Sequence, residues 1–82
     1  MHLAIHYNAT RGFEDEALAL ARRLFAHFDE AIDSLALIPV LDEDLDLVLD
    51  GVVLRSLSHS GQLPRVADVL ANVPPPSVTD PP

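Results

Sequence analysis

The amino-acid sequence predicts an α/β fold in which one mixed four-stranded sheet is flanked by helices, in the order β-α-β-β-β-α. Short apolar runs of strand length surround one long stretch of helical periodicity, and the pair Asp50-Gly51 separates two further apolar runs. The 82 residues, 49% of them hydrophobic, suit a single small domain. A right-handed crossover would make the first two strands parallel, and a hairpin would add two antiparallel strands.

The first half of the chain predicts strand, helix and strand. The strands are predicted at residues 3–7 and 32–38, the second being an apolar run that ends at Pro39. Between them lies a helix at residues 13–28, whose acidic first turn suits the helix dipole. The apolar residues at helical spacing are Phe13, Ala17, Leu20, Ala21, Leu24 and Phe28.

The second half predicts a hairpin, a loop and a short helix. Strands at residues 45–49 and 52–57 flank Asp50-Gly51, a dipeptide suited to a tight turn that needs positive φ at both central positions. Residues 58–62 are predicted to be a loop, and residues 63–70 a helix that carries Pro64 in its first turn. The domain is expected to span residues 1–73, and residues 74–82 to be a proline-rich, extended or disordered tail.

Composition and charge exclude several classes of function. The net charge is −8, and all five basic residues are arginine, so neither nucleic acid nor an anionic membrane is an expected partner. No apolar run approaches the ~20 residues that span a bilayer, and no secretory signal is apparent, so a cytoplasmic protein is expected. Because cysteine is absent, the chain has no disulfide, thiolate metal ligand or cysteine nucleophile.

The segment Tyr7-Asn8-Ala9-Thr10-Arg11-Gly12-Phe13 lies where the first strand leads into the helix, the context in which a Cys-x-x-Cys pair performs thiol chemistry. Asn8 and Arg11 hold the two cysteine positions. With the Asp50-Gly51 turn and the segment Gly61-Gln62-Leu63-Pro64, this spacing resembles the Rdx family, the small thioredoxin-like proteins that include selenoproteins W, T and H. The resemblance covers residues 3–73.

The resemblance implies a minimal thioredoxin-like fold, and its family activity is thiol-disulfide or selenol exchange. That activity cannot be carried over, because exchange needs a thiolate or selenolate that neither Asn8 nor Arg11 supplies. Asn8 is expected to cap the helix or form a turn, and Arg11 to pair with Glu14 or Asp15. The alternative is that Asn8, Thr10 and Arg11 bind a ligand, since Arg11 beside a helix N-terminus is the best small-anion site in the sequence.

Other chemistry-bearing residues predict no catalytic, metal or cofactor site. His2 and His6 share a strand face but lie about 13 Å apart, too far to reach one ion. The segment Ser58-His59-Ser60 has no paired acid or oxyanion loop in the sequence around it. The acidic segment at residues 42–46 lacks the glycine and terminal glutamate of an EF-hand, and is expected to be a solvated turn.

These observations favour a non-catalytic, Rdx-type module for protein binding or assembly. The expected contact surface is the edge strand at residues 52–57, where Val52, Val53, Leu54 and Leu57 present an apolar edge to a protein partner or a second copy. The alternative function is binding of a thiol compound or a small anion at the former redox loop, in an enzyme-like role.

Overall fold

A computed structural model of the protein, which describes residues 1–72, confirms the α/β fold and its mixed four-stranded sheet. The strand order is β2-β1-β3-β4, with β1 parallel to β2 and antiparallel to β3, and β3 antiparallel to β4. The strands are β1 (His2–Tyr7), β2 (Ser34–Pro39), β3 (Leu45–Leu49) and β4 (Val52–Ser56). The helices are α1 (Glu14–Phe28), α2 (Leu57–Ser60) and α3 (Val66–Leu70). The predicted proline-rich tail lies outside the described residues.

The hydrophobic core lies between the helices and one face of the sheet. Leu3 and Ile5 of β1 are paired with Leu49 and Leu47 of β3, and all four side chains are buried. Helix α1 covers them with the apolar face that its periodicity predicts, and α3 adds Val69. The buried residues of these helices are Ala17, Leu20, Ala21, Leu24 and Val69. The opposite face of the sheet carries the alternate residues of each strand and is called the open face below.

The hairpin between β3 and β4 forms as predicted. Asp50 and Gly51 both have positive φ, 49° and 86°, the conformation that a two-residue primed turn requires. The two strands pair from Leu49 with Val52 down to Asp46 with Ser56, interrupted by one register shift between Leu47 and Val48. This shift is a β-bulge, which raises local twist and weakens an edge for further pairing.

The second strand differs from the prediction in both bounds. It begins at Ser34 because α1 continues into a 3₁₀ turn at Asp29–Ala31, where Asp29 has a φ of 45°. It also includes Pro39, the residue that was expected to end it. Pro39 can belong to β2 because β2 is an edge strand of the described sheet and pairs with β1 alone. An edge strand tolerates a proline, whose missing N–H would face solvent.

Two boundaries near the C-terminal end are also corrected. The last strand ends at Ser56, and Leu57 begins α2 where the sequence predicted a strand residue followed by a loop. Helix α3 begins at Val66, two residues after Pro64. Arg65 remains extended, and its backbone N–H donates to a carboxylate oxygen of Asp68 at 2.8 Å. This bond from the N-cap backbone to the side chain three residues later is one half of a capping box and favours the start of α3 at Val66.

Candidate functional site

The β1–α1 loop, residues 8–13, has the compact geometry that the strand-to-helix context predicts. Ala9–Arg11 form a single 3₁₀ turn, closed by Gly12 in the left-handed region at a φ of 86°. The Asn8 carbonyl accepts hydrogen bonds from the backbone N–H groups of Arg11 and Phe13, at 3.3 and 3.2 Å. Positions 8 and 11 therefore belong to one tight turn, as the two positions of a Cys-x-x-Cys pair would.

Asn8 is buried, with 4% of its surface exposed, and its side chain does not cap a helix. The capping half of the prediction is therefore wrong, and the turn half is correct. The Asn8 side-chain oxygen accepts from the Thr10 hydroxyl at 2.6 Å, and its amide nitrogen lies 3.4 Å from the Leu41 carbonyl, at the long end of hydrogen-bond distance. Its backbone N–H donates to the Asp44 carbonyl at 3.0 Å. Asn8 thus joins this loop to the loop between β2 and β3.

Arg11 pairs with Asp44 at 3.3 Å, not with the predicted Glu14 or Asp15. The ion pair is solvated, since 67% of the Arg11 side chain is exposed, and pairs of this kind contribute little to stability. Three acidic residues occupy the first turn of α1 beside it, at positions 14–16. Because these carboxylates and Asp44 outnumber the one guanidinium, the local charge does not favour an anionic ligand.

A cavity of about 210 Å³ opens beside this loop. It is lined by Ala9, Thr10, Pro39, Val40 and Leu41, a largely apolar set that combines both loops. Leu41 is 81% exposed, the highest exposure of any large apolar side chain in the described part of the chain. The sequence did not predict this surface. Its sequence signal is the apolar pair Val40-Leu41, which continues past Pro39 and stands directly before three acidic residues.

The β2–β3 loop is less solvated than the sequence predicts. Of its acids only Asp42 is exposed, whereas Glu43 and Asp44 are partly buried and bonded. Glu43 accepts a hydrogen bond from the Ser56 hydroxyl at 3.1 Å and lies 3.4 Å from the His59 ring nitrogen. An acid does therefore pair with His59, contrary to the prediction. Glu43 contacts the Ser56 hydroxyl with one carboxylate oxygen and the His59 ring with the other, so His59 does not bond to the Ser56 hydroxyl. A histidine activates a serine nucleophile by accepting its proton directly, and this arrangement therefore does not do so.

The four histidines lie in separate places, all within the described residues. His2 shares a 2.8 Å hydrogen bond with Ser34, His27 packs edge-on against Phe28, and His6 sits on the open face. Across residues 1–72, no group of three or more His, Cys, Asp or Glu side chains is arranged to hold a metal ion. Within the same residues no helix has the length and apolar composition needed to cross a membrane.

The fold is similar to a crystal structure of a protein from Bordetella parapertussis. The TM-score is 0.79 with 20% sequence identity, and the match covers 88% of this chain and 96% of that chain. At this identity the likeness supports the fold and carries no function with it. No protein-family model and no curated protein matches the chain.

Proposed function

We propose that this chain is a redox-inactive, Rdx-type protein-binding module that recognises a partner with the surface around its β1–α1 loop. One observation carries the proposal. The tight turn at the positions of a Cys-x-x-Cys pair, largely exposed apart from Asn8, borders an apolar cavity whose rim, Leu41, is 81% exposed. Binding sites are typically concave and mostly apolar, which is the character of this cavity and its rim.

The polar groups of the loop support binding over catalysis. The Asn8 side chain is engaged with Thr10 and the Leu41 carbonyl, and Arg11 is engaged with Asp44. With no cysteine in the sequence, the loop offers no thiolate for exchange. The cavity beside the loop has a largely apolar lining, and burial of such surface by a partner is favourable because it is removed from water.

The size of the cavity favours a protein side chain over a cofactor. Sites for drug-sized ligands and cofactors usually enclose about 300–1,000 Å³, whereas this cavity encloses about 210 Å³. It suits one apolar side chain of a partner, or a small thiol compound, which is the alternative function. A thermal-shift screen of small thiols and anions tests that alternative, and a stabilisation lost in a Thr10→Val variant would favour it.

Two experiments test the binding proposal. In an insulin reduction assay with a dithiol donor, the protein should not exceed the uncatalysed rate. In quantitative pull-downs from a lysate of the source cell, a specific partner should be lost from Leu41→Asp and retained by Leu63→Asp. Leu63 is a matched control because it is also an exposed leucine outside the regular elements, 44% exposed. Turnover of insulin, or equal capture by both variants, would contradict the proposal.

A further inference from the structure

The outer edge of β2 carries backbone hydrogen-bonding groups that no other described strand uses. Within residues 1–72, β2 pairs with β1 alone. The backbone N–H of Val40, directly after β2, donates to the carbonyl of Tyr7, the last residue of β1, at 2.8 Å. The N–H and C=O groups of successive strand residues alternate between the two sides of the strand, so every second residue before Val40 also faces β1. Leu35 and Leu37 therefore direct both groups outward, to the side away from β1.

This edge lacks the charges that usually protect an edge strand. Residues 34–41 contain no charged side chain and no histidine, in a chain whose net charge is −8. Natural edge strands are commonly protected by lysines, other charges, bulges or proline, whereas β2 has only Pro39, at its last position. Asp33, directly before the strand, is paired with the N-terminal ammonium at 2.6 Å. A second copy with the same net charge can therefore approach β2 without placing like charges opposite each other along the strand.

Apolar side chains on the helix-covered side of this edge are only partly buried. Leu35 and Leu37 pack against the hydrophobic core but remain partly exposed. Leu18 and Phe25 of α1 are 39% and 48% exposed, and their seven-residue spacing puts them on one flank of the helix. In a right-handed crossover from β1 through α1 to β2, that flank faces the β2 side. Pairing along this edge would bring the apolar side chains of two copies together and remove them from water, which is favourable.

We propose that two copies of this chain associate through the β2 edge, by antiparallel pairing about a two-fold axis at Ala36 that joins their sheets into one. In this register Leu35 of each copy lies opposite Leu37 of the other, and each such pair exchanges both backbone hydrogen bonds. A shift by two residues in either direction loses a donor. One shift places Leu35 opposite Pro39, which has no N–H. The other places Leu37 opposite Asp33, whose N–H already donates to the carbonyl of the first residue at 2.8 Å.

The β4 edge, which the sequence predicts as a contact surface, is the competing edge. The register shift between Leu47 and Val48 interrupts the ladder of β4 with β3, and a bulge of this kind twists an edge away from further pairing. The ladder of β2 with β1 has no shift in register over all six residues of the strand. Association through β2 is measured on the purified protein alone, so it fails independently of the partner proposed for the β1–α1 loop.

The test is sedimentation of the full-length protein up to high micromolar concentration, with two lysine variants at opposite ends of one row of the sheet. Ala36 of β2 and Val53 of β4 share that row through Ala4 and Val48, and both are exposed. At the proposed axis the Ala36 residues of the two copies face each other with Cα atoms about 4.5 Å apart. Ala36→Lys therefore places two like charges together and should raise the dissociation constant of the dimer at least about fivefold. Val53→Lys makes the same change of charge at the other edge and should leave that constant unchanged.

Amide hydrogen exchange locates the interface on the wild-type protein. The N–H groups of Leu35 and Leu37 should be protected in the dimer and lose that protection in Ala36→Lys, whereas those of Ala36 and Ile38, which face β1, should stay protected in both proteins. A wild-type monomer at high micromolar concentration, a dimer kept in Ala36→Lys, or a dimer broken by Val53→Lys would each overturn the proposal. If Ala36→Lys does not fold, the wild-type exchange decides it, and protection confined to Ala36 and Ile38 would overturn it.

Discussion

Replacement of Asp68 by asparagine is expected to destabilise the protein strongly. In the native protein its carboxylate accepts three hydrogen bonds, two from Arg55 on β4 and one from the backbone of Arg65 before α3. Asparagine has the same shape, but one end of its side chain is an NH₂ group. Whichever way the amide turns, a donor faces another donor, at the Arg55 guanidinium or at the Arg65 N–H.

The size of the loss follows from burial and charge. Removing one partner of a buried ion pair typically costs about 3–5 kcal/mol of unfolding free energy. The Arg55 side chain is 31% exposed, so water can solvate part of the released guanidinium, and asparagine keeps one acceptor. We therefore expect a loss of about 2–3 kcal/mol. For a domain of this size that corresponds to a fall in Tm of roughly 10–20 °C.

The assay is urea denaturation followed by circular dichroism, with calorimetry for Tm. Asp46→Asn is the matched control, since Asp46 is equally buried and undergoes the same substitution, but its Oδ1 has no donor to lose. The control should retain or exceed wild-type stability. A loss below about 1 kcal/mol in Asp68→Asn, or equal losses in both variants, would refute the reasoning.

Three further predictions follow from other parts of the structure. The double variant Asn8→Cys with Arg11→Cys should form a local disulfide, because the first and last residues of one tight turn have Cα atoms within about 7 Å of each other. Free thiols that persist under mild oxidation would count against the alignment with a Cys-x-x-Cys loop. A hydrogen bond from the N-terminal ammonium, and then its charge, lowers the pKa of Asp33 below its usual range. The stability that this contact supplies is present above the unfolded pKa, near about 4, and is lost as pH falls through the lower folded pKa. The difference in urea midpoint between wild type and Asp33→Asn should therefore shrink between about pH 6 and pH 2.5. Self-association through the β4 edge, still a prediction, should be reduced in Val52→Lys, and sedimentation of the wild type as a strict monomer at high micromolar concentration would rule it out.

The elements that the sequence determined by itself are those whose signals are local. The apolar face of α1 and the turn at Asp50-Gly51 were both predicted at the correct positions. Helical periodicity depends only on residues three and four apart, and a primed turn depends on the φ preferences of two residues. The sequence also predicted that β1 and β2 are parallel and that β3 and β4 form an antiparallel hairpin. The antiparallel pairing of β1 with β3, which completes the order β2-β1-β3-β4, was decided by the folded chain.

Contacts between distant segments were decided only by the tertiary structure. Arg11 pairs with Asp44, 33 residues away, although two acids lie within four positions of it in the sequence. The sequence also gives no sign that Asp46 and Asp68 differ, since both are acids beside apolar residues. The fold places Asp68 next to Arg55 and places Asp46 in β3 between His6 and Ser56, where Oδ1 meets no donor within the described residues. The physical reason is that a side-chain hydrogen bond requires a partner within about 3 Å, and only the folded chain sets that distance.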